Sequence, residues 1–337
     1  MKVPFTPKFV LAPKLICNFA SKVLHHEDAN SARMGIKMNK ILNLGSINID
    51  NVYTVERFVK AGETIASKQF RVYAGGKGLN QSIALARAGG NVIHAGTVGR
   101  DGVDLVNMLQ DEGVDVSYIA ECETPTGHTI IQVNDDGQNC ILLYPGANYA
   151  FEESRIDGIL NTFDKDDILI TQNEVNCIAY AMRSAAKKGM RIAFNPSPFC
   201  PEIRTYPLHL VDWFILNEIE GEAFTGKSDP EEILSDLGVA YPQATIVLTL
   251  GENGVICKSG ERIIHQNAYQ VLPIDTTAAG DTFTGYFISL AATGEKIEEC
   301  LSVAAKAAAI SVSKRGAAAS IPKMTEVRGK VEICSGS

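Results

Sequence analysis

The 337-residue chain is poor in aromatic side chains (7%) and has a single tryptophan, Trp213, which reads as a core residue. None of its eight cysteines, at 17, 122, 140, 177, 200, 257, 300 and 334, forms a C-x-x-C pair, and no histidine completes a zinc-finger spacing. That excludes a disulfide framework or finger and reads as free, mostly buried thiols in a reducing, cytoplasmic setting. A basic run is missing too: 31 Lys and Arg against 39 Asp and Glu leave a net charge of −8. This argues against nucleic acid or an anionic membrane as partner. No stretch approaches the roughly 20 apolar residues of a spanning helix. What remains is ordinary globular composition, 45% hydrophobic and 21% charged, with enough chain to bury a substantial core.

Residues 1–38 stand apart. Lys2, Lys8, Lys14 and Lys22 precede any acidic residue, Pro4, Pro7 and Pro13 interrupt them, and the apolar patches are too short for a signal-peptide core. The segment reads as a disordered tail or as sequence ahead of a natural start at Met38. Beyond it, short apolar runs at 41–44, 92–97, 168–171, 191–195, 213–216 and 246–250 predict strands. They alternate with helical patterns at 78–88, 103–112, 179–188, 229–238, 281–293 and 297–313. The alternation predicts a doubly wound α/β fold, a mostly parallel sheet with helices on both faces. Two segments, 52–73 and 126–144, alternate with period two instead, the second about an Asp136-Gly137 turn. They predict antiparallel excursions forming a small β-sheet lid, with limits near 52–73 and 120–145. The domain is expected over 39–326, followed by a tail, 327–337.

The run from Gly221 to Ser228 fits G-x-x-x-x-G-K-[ST], the phosphate-binding loop pattern. Its context argues against that reading. The preceding strand ends at Leu216, Glu222-Ala223-Phe224 are helix formers, and Ser228-Asp229-Pro230 reads as the cap of a new helix. The segment is expected to be a short helix, a glycine C-cap and the start of the next helix.

Three other stretches carry the chemistry. Asp275-Thr276-Thr277-Ala278-Ala279-Gly280-Asp281 precedes an apolar helix. Small residues there let backbone N–H groups converge on an anion at the helix N-terminus, such as a transferring phosphoryl group. Asp281 stands where it can take a proton from an attacking hydroxyl, or merely cap the helix. Gly75-Gly76-Lys77-Gly78-Leu79-Asn80 allows backbone to approach a ligand and offers Lys77 and Asn80 as donors. Gly45-Ser46-Ile47-Asn48-Ile49-Asp50 follows the first strand, where α/β ligands bind, and Asp50 could grip adjacent sugar hydroxyls or be an ordinary loop acid.

Together, in this order, these motifs resemble those of the ribokinase-type carbohydrate kinases of the PfkB superfamily, over roughly 39–326. The resemblance implies an α/β body with a β-sheet lid. It also implies ATP-dependent phosphorylation of a primary hydroxyl, foremost the 5-hydroxyl of D-ribose, with a nucleoside, deoxyribose or ketohexose as alternative substrates. A non-catalytic sugar-binding regulator is the alternative of another class. By position, Asn48, Asp50, Gly76, Lys77, Asn80 and Glu174 would hold the sugar. Asp281 would be the base, and Ala278, Ala279 and Gly280 the anion hole. Asn217 in Asn217-Glu218-Ile219-Glu220 would contact nucleotide phosphate, with Glu220 ordering Mg²⁺ through water. Thr249, Gly251 and Gly254, with Gly280, would line ATP. Asp275, Thr277 and Ser320, with carbonyls near Ser311, Lys314 and Gly316, match a K⁺ site. Ala278 stands where many superfamily members have glycine, Ala305 stands where some have a polar group near adenine, and residues 1–38 have no counterpart. Exposed lid edges suggest a homodimer in which lids pair.

Overall fold

The structure is a computed structural model that describes residues 39–329. The expectations for 1–38, and for Cys17 and Cys334, lie outside the described residues. Thirteen strands occur in chain order: β1 (Lys40–Leu44), β2 (Asn48–Thr54), β3 (Gln69–Gly75), β4 (Asn91–Val98), β5 (Asp115–Glu121), β6 (Gly127–Val133), β7 (Asn139–Tyr144), β8 (Ile168–Gln172), β9 (Arg191–Asn195), β10 (Trp213–Asn217), β11 (Thr245–Thr249), β12 (Val255–Ser259) and β13 (Arg262–Gln266). The helices are α1 (Lys77–Arg87), α2 (Val103–Asp111), α3 (Glu153–Leu160), α4 (Ile178–Lys187), α5 (Glu218–Thr225), α6 (Pro230–Ala240), α7 (Ala279–Ala292), α8 (Ile297–Val312), α9 (Ala317–Ser320) and α10 (Met324–Arg328).

Nine strands form the body's sheet in the order β13-β12-β11-β10-β9-β8-β1-β4-β5. All neighbours from β11 to β5 run parallel, and β12 and β13 add an antiparallel edge. The central strands are continuous apolar runs because both faces are covered. Ile41, Ile168 and Ile170 point into one core with α1, α2, α7 and α8, and Leu42, Leu44 and Leu169 into a second with α3 to α6. Trp213 lies in the first of these cores. Of the described cysteines only Cys257 and Cys300 are buried, so the expectation of mostly buried thiols fails. Val327 is also buried, at the end of α10, so the packed body runs past the boundary expected at 326.

The other four strands form a separate sheet, ordered β3-β2-β6-β7. Each excursion is an antiparallel hairpin, as the period-two pattern predicts, but the two join through β2 and β6 in parallel. Its limits also differ from expectation. Strand β2 starts at Asn48 and β3 ends at Gly75, residues 55–68 are irregular, and Glu121 still belongs to the body through β5. Gly137 adopts φ +77° and its N–H bonds Asn134 O, which closes the β6–β7 turn.

The Gly221–Ser228 run folds as its context predicts. Gly226, at φ +73°, caps the C-terminus of α5, Asp229 Oδ1 caps α6, and Lys227 pairs on the surface with Glu232.

Candidate active site

From β1 the chain winds outward through β4 and β5, then returns beside β1 at β8 and winds the other way. The carboxyl ends of strands flanking such a reversal leave a crevice. Ser46 follows β1 there, Glu174 follows β8, and Asn195, Asn217 and Thr249 end β9, β10 and β11. Helix α7 brings Asp281 to the same place.

Asp281 is nearly buried on the first turn of α7. Its Oδ2 accepts a hydrogen bond from Asn80 Nδ2 at 3.0 Å, and its Oδ1 one from Gln81 Nε2 at 3.0 Å. The first turn of a helix leaves its N–H groups without intrahelical partners, so the amides of Gly280 and Asp281 are available to an anion. The Ala279 amide is turned back onto Thr276 O at 3.3 Å, so it contributes less to the expected anion hole. Ala278 precedes α7 at φ +62°, a left-handed conformation that glycine adopts without strain and alanine does not.

The glycine-rich turn serves the protein's own packing as much as a ligand. A Cβ on Gly75 would fall 2.0 Å from Asp50 Oδ2, and one on Gly78 2.3 Å from Ser46 N. Gly76 takes φ +93° against the Asn48 amide. This close approach lets Glu174 join both segments: its Oε2 accepts from Ser46 Oγ at 2.5 Å and from the Lys77 amide at 3.1 Å. Asn48 Oδ1 accepts from Asn148 Nδ2 at 2.7 Å. Asp50, opposite Thr129 in the β2–β6 register, accepts its Oγ1–H at 2.6 Å.

These carboxyls are taken out of water. Burial raises the Asp50 carboxyl above its ordinary range, against the Thr129 hydrogen bond that lowers it, and the Asp281 charge adds to the rise. Burial likewise raises Glu174, although the Lys77 ammonium opposes it. Burial alone would lower Lys77, but Asp281, Glu174 and Glu220 outweigh it and hold the ammonium charged.

A cleft of about 220 Å³ opens beside these groups, lined by Lys77, Asn217, Glu220, Thr249, Gly280 and Asp281. Asn217 and Glu220 cap α5 reciprocally: Asn217 Oδ1 accepts the Glu220 N–H and Glu220 Oε2 the Asn217 N–H. An adjoining, more apolar cleft of about 470 Å³ is lined by Gly251, Gly254, Phe283, Ala305 and Val312. Behind α7, Asp275 accepts the Thr277 amide on Oδ1 and the Gly316 amide on Oδ2, both at 2.9 Å. Ser320 is turned away from Asp275, onto Ser311 Oγ and Ala317 O, and the Lys314 ammonium pairs with Glu326. A buried acid at a helix N-terminus facing a Lys-lined cleft can accept a proton while the helix amides receive an anion.

A profile of the pfkB family carbohydrate kinases matches residues 38–324. The chain belongs to that family. The kinase is 34% identical over 300 residues to a ribokinase of Staphylococcus aureus, which covers 86% of this chain and 98% of that protein. It is 35% identical over 301 residues to one of Haemophilus influenzae, with 86% and 97% covered. A deoxyribokinase of Salmonella typhi is 28% identical over 294 residues, with 84% and 95% covered. Among solved structures, a ribokinase of Cryptococcus neoformans in complex with ADP superposes with a TM-score of 0.76 at 31% identity, covering 86% of this chain and 99% of that one. An Arabidopsis thaliana ribokinase complexed with ribose and ATP has a TM-score of 0.76 at 29% identity, with 87% and 98% covered.

Sequence reasoning missed several groups of the kinase's site: Gln81, Asn195 and Gln172 around Asp281, Asn148 behind Asn48, and Thr129 on Asp50. For Gln81 there was a signal, an amide on the apolar side of a helix directly after Asn80. For Thr129 there was none, because its role depends on the register between two distant hairpins.

Proposed function

We propose that this kinase transfers the γ-phosphoryl group of ATP to the primary 5-hydroxyl of D-ribose, giving ribose 5-phosphate. The observation that carries the reading is the meeting of Asp281 with Asn80, 201 residues apart, beside Lys77 and Glu174. In this reading Asp281 takes the hydroxyl proton, and the amides at the start of α7 receive the charge developing on the phosphoryl oxygens. Asn48, Asp50, Gly76, Lys77, Asn80 and Glu174 hold the sugar. Asn217 and Thr249 face the nucleotide phosphates, and Gly251, Gly254 and Ala305 face the base. Closure of the lid over the crevice excludes water, which would otherwise divert ATP to hydrolysis. The ribokinase relatives support ribose as acceptor, and the deoxyribokinase makes deoxyribose its main competitor. A sensor would have no use for a buried proton acceptor, which argues against a non-catalytic regulator.

Glu220 fits a Mg²⁺ ion carried with ATP: it is buried, keeps one oxygen on the Asn217 amide and still lines the cleft. The ion would neutralise phosphate charge. Asp275 fits a monovalent cation, since its carboxylate joins the Thr277 and Gly316 turns that would supply carbonyls. A K⁺ ion there would stiffen the turn ahead of α7. Turnover is then expected to be higher in K⁺ than in Na⁺, with the difference lost in Asp275→Ala; equal rates in potassium, sodium and bulky organic-cation buffers at fixed ionic strength would remove the ion from the mechanism.

The reaction is tested by ADP release over a panel of pentoses, deoxyribose, ketohexoses and nucleosides. Ribose is expected to give the highest kcat/KM. Asp281→Asn is expected to lower kcat about 10²–10⁴-fold, with the melting transition kept; retention of most of the turnover would reduce Asp281 to a helix cap.

A further inference from the structure

Gln81 is completely buried on the second turn of α1. Its Nε2 donates to Asp281 Oδ1 at 3.0 Å and to Asn195 Oδ1 at 3.3 Å. With Asn80 on Oδ2, each oxygen of the Asp281 carboxylate therefore has one amide donor. A side-chain amide turned end for end occupies the same space, so shape alone does not make Gln81 present nitrogen rather than oxygen to the acid.

Its neighbours set that polarity. Gln81 Oε1 accepts from Gln172 Nε2 at 2.7 Å, and the same Nε2 donates to Asn43 Oδ1 at 3.0 Å. Asn43 Nδ2 in turn donates to the Gly78 carbonyl and to Ser82 Oγ, both at 2.8 Å. A backbone carbonyl can only accept. Gly78 O thus requires the nitrogen of Asn43, which turns the Asn43 oxygen toward Gln172. Gln172 must answer with its nitrogen, which Gln81 meets with its oxygen, and the Gln81 NH₂ is left facing Asp281. Reversing any one amide would set oxygen against oxygen or NH₂ against NH₂ among fully buried side chains. Asn43 and Gln172 are as fully buried as Gln81.

We propose that Gln81 is a positioning residue for the phosphoryl-transfer reaction: it fixes the plane of the Asp281 carboxylate, and a relay of amides anchored on the Gly78 carbonyl fixes Gln81 as the donor. The inference rests on Asp281 as proton acceptor.

The test compares Gln81→Met, Gln81→Glu, Gln172→Leu and Asp281→Asn in the full-length kinase, by kcat, sugar KM and the pH profile of kcat/KM. Melting curves and ADP binding show which variants are folded. Gln81→Met removes the donor at similar volume and is expected to lower kcat about 10–100-fold, with sugar KM nearly unchanged. Gln172→Leu, which frees Gln81 to turn, is expected to lower kcat in the same direction. Gln81→Glu sets a second carboxyl against Asp281, so the pair holds its proton longer and the acid limb of the profile moves to higher pH. A moved limb shows that the two side chains meet, and the fall in kcat at nearly unchanged sugar KM in Gln81→Met and Gln172→Leu separates positioning from space filling, since Gln172 does not touch Asp281. Wild-type kcat in Gln81→Met, or an unmoved limb in Gln81→Glu, while Asp281→Asn is inactive, overturns the positioning role alone. Near wild-type turnover in Asp281→Asn overturns the base and this inference with it. Should Gln81→Met not fold, Gln172→Leu decides: wild-type kcat in that variant, while Asp281→Asn is inactive, overturns the relay and the positioning role with it.

Discussion

A methyl group added at Gly280 would meet no protein atom within 4 Å, so nothing in the fold requires glycine there. Gly75 and Gly78 are the opposite case, each pressed against the first strand's exit or against Asp50. The space over Gly280 belongs to whatever the α7 amides bind. Gly280→Ala is therefore expected to leave the melting temperature unchanged or to raise stability by up to about 1 kcal/mol, since alanine is the better helix former. It should also cut kcat at least about tenfold by displacing the anion. A loss of stability, or full activity, would contradict this. Thr129 tests the electrostatics. Burial already raises the Asp50 carboxyl and Thr129 holds it down, so Thr129→Val should raise it further. In the proposed reading the Asp50 carboxylate holds the sugar, so the acid limb of kcat/KM for the sugar should move to higher pH in the variant. The linked stability has a definite sign: a carboxyl raised in the fold favours folding below its unfolded pKa, and that contribution is lost as pH rises through the folded value. Thr129→Val should make the ligand-free protein lose stability more steeply over that window, which melting curves against pH would measure.

Helices α1 and α7 carry the two halves of the site, and they touch through Gly285. A Cβ there would lie 2.4 Å from Ala84 Cβ and 2.8 Å from Leu85 N, so the helices are as close as their backbones allow. Gly285→Ala should destabilise by about 1–3 kcal/mol through overpacking. Because it forces Asp281 away from Asn80 and Gln81, it should lower kcat more than Gly280→Ala lowers stability-corrected activity. Thermal melting with single-turnover kinetics would show both effects. At this scale the sequence was most legible where burial is two-sided. The apolar runs of β1, β8 and β10, helix α2 and the Asp229-capped α6 lie within a few residues of expectation. Strand β5 was missed because its half-exposed edge mixes Asp115, Ser117 and Glu121 with apolar residues, and the short β12–β13 hairpin lies at the opposite edge. Helix α3 has Gly158 in its interior and no side-chain cap. In the site, Asp281, Asn80 and Lys77 could be read from local motifs. The buried amides Asn43 and Gln172 could not, because their meaning lies in contacts across β1, β8 and α1, and Gln81 offered only its place on the apolar side of a helix after Asn80.

For the whole molecule, the lid has a face that a lone chain leaves uncovered. The β2–β3, β2–β6 and β6–β7 registers align Asn51, Val72, Ile130 and Leu142 in one row, on the side opposite Asp50. Val72, Ile130 and Leu142 are 55%, 40% and 66% exposed, with Phe70 and Tyr144 beside them. Apolar groups in such a row favour a second copy of the same sheet, which would also cover the β7 edge. Light scattering is expected to find a dimer. Val72→Asp with Leu142→Asp should give a monomer with an unchanged body and a raised sugar KM, since an unsupported lid presents Asp50 less firmly. A wild-type monomer at assay concentrations would end this reading.

The contact between α1 and α7 also orders events during synthesis. The partners Asn80 and Asp281 are 201 residues apart, which at about 5–20 residues per second is roughly 10–40 s of translation. For that interval the α1 face that carries Gln81 and Ala84 has no α7 to cover it, and such a face is what chaperones bind. The acid that would activate the acceptor arrives with the helix that closes the core, so an unfinished chain has no means of turning over ATP.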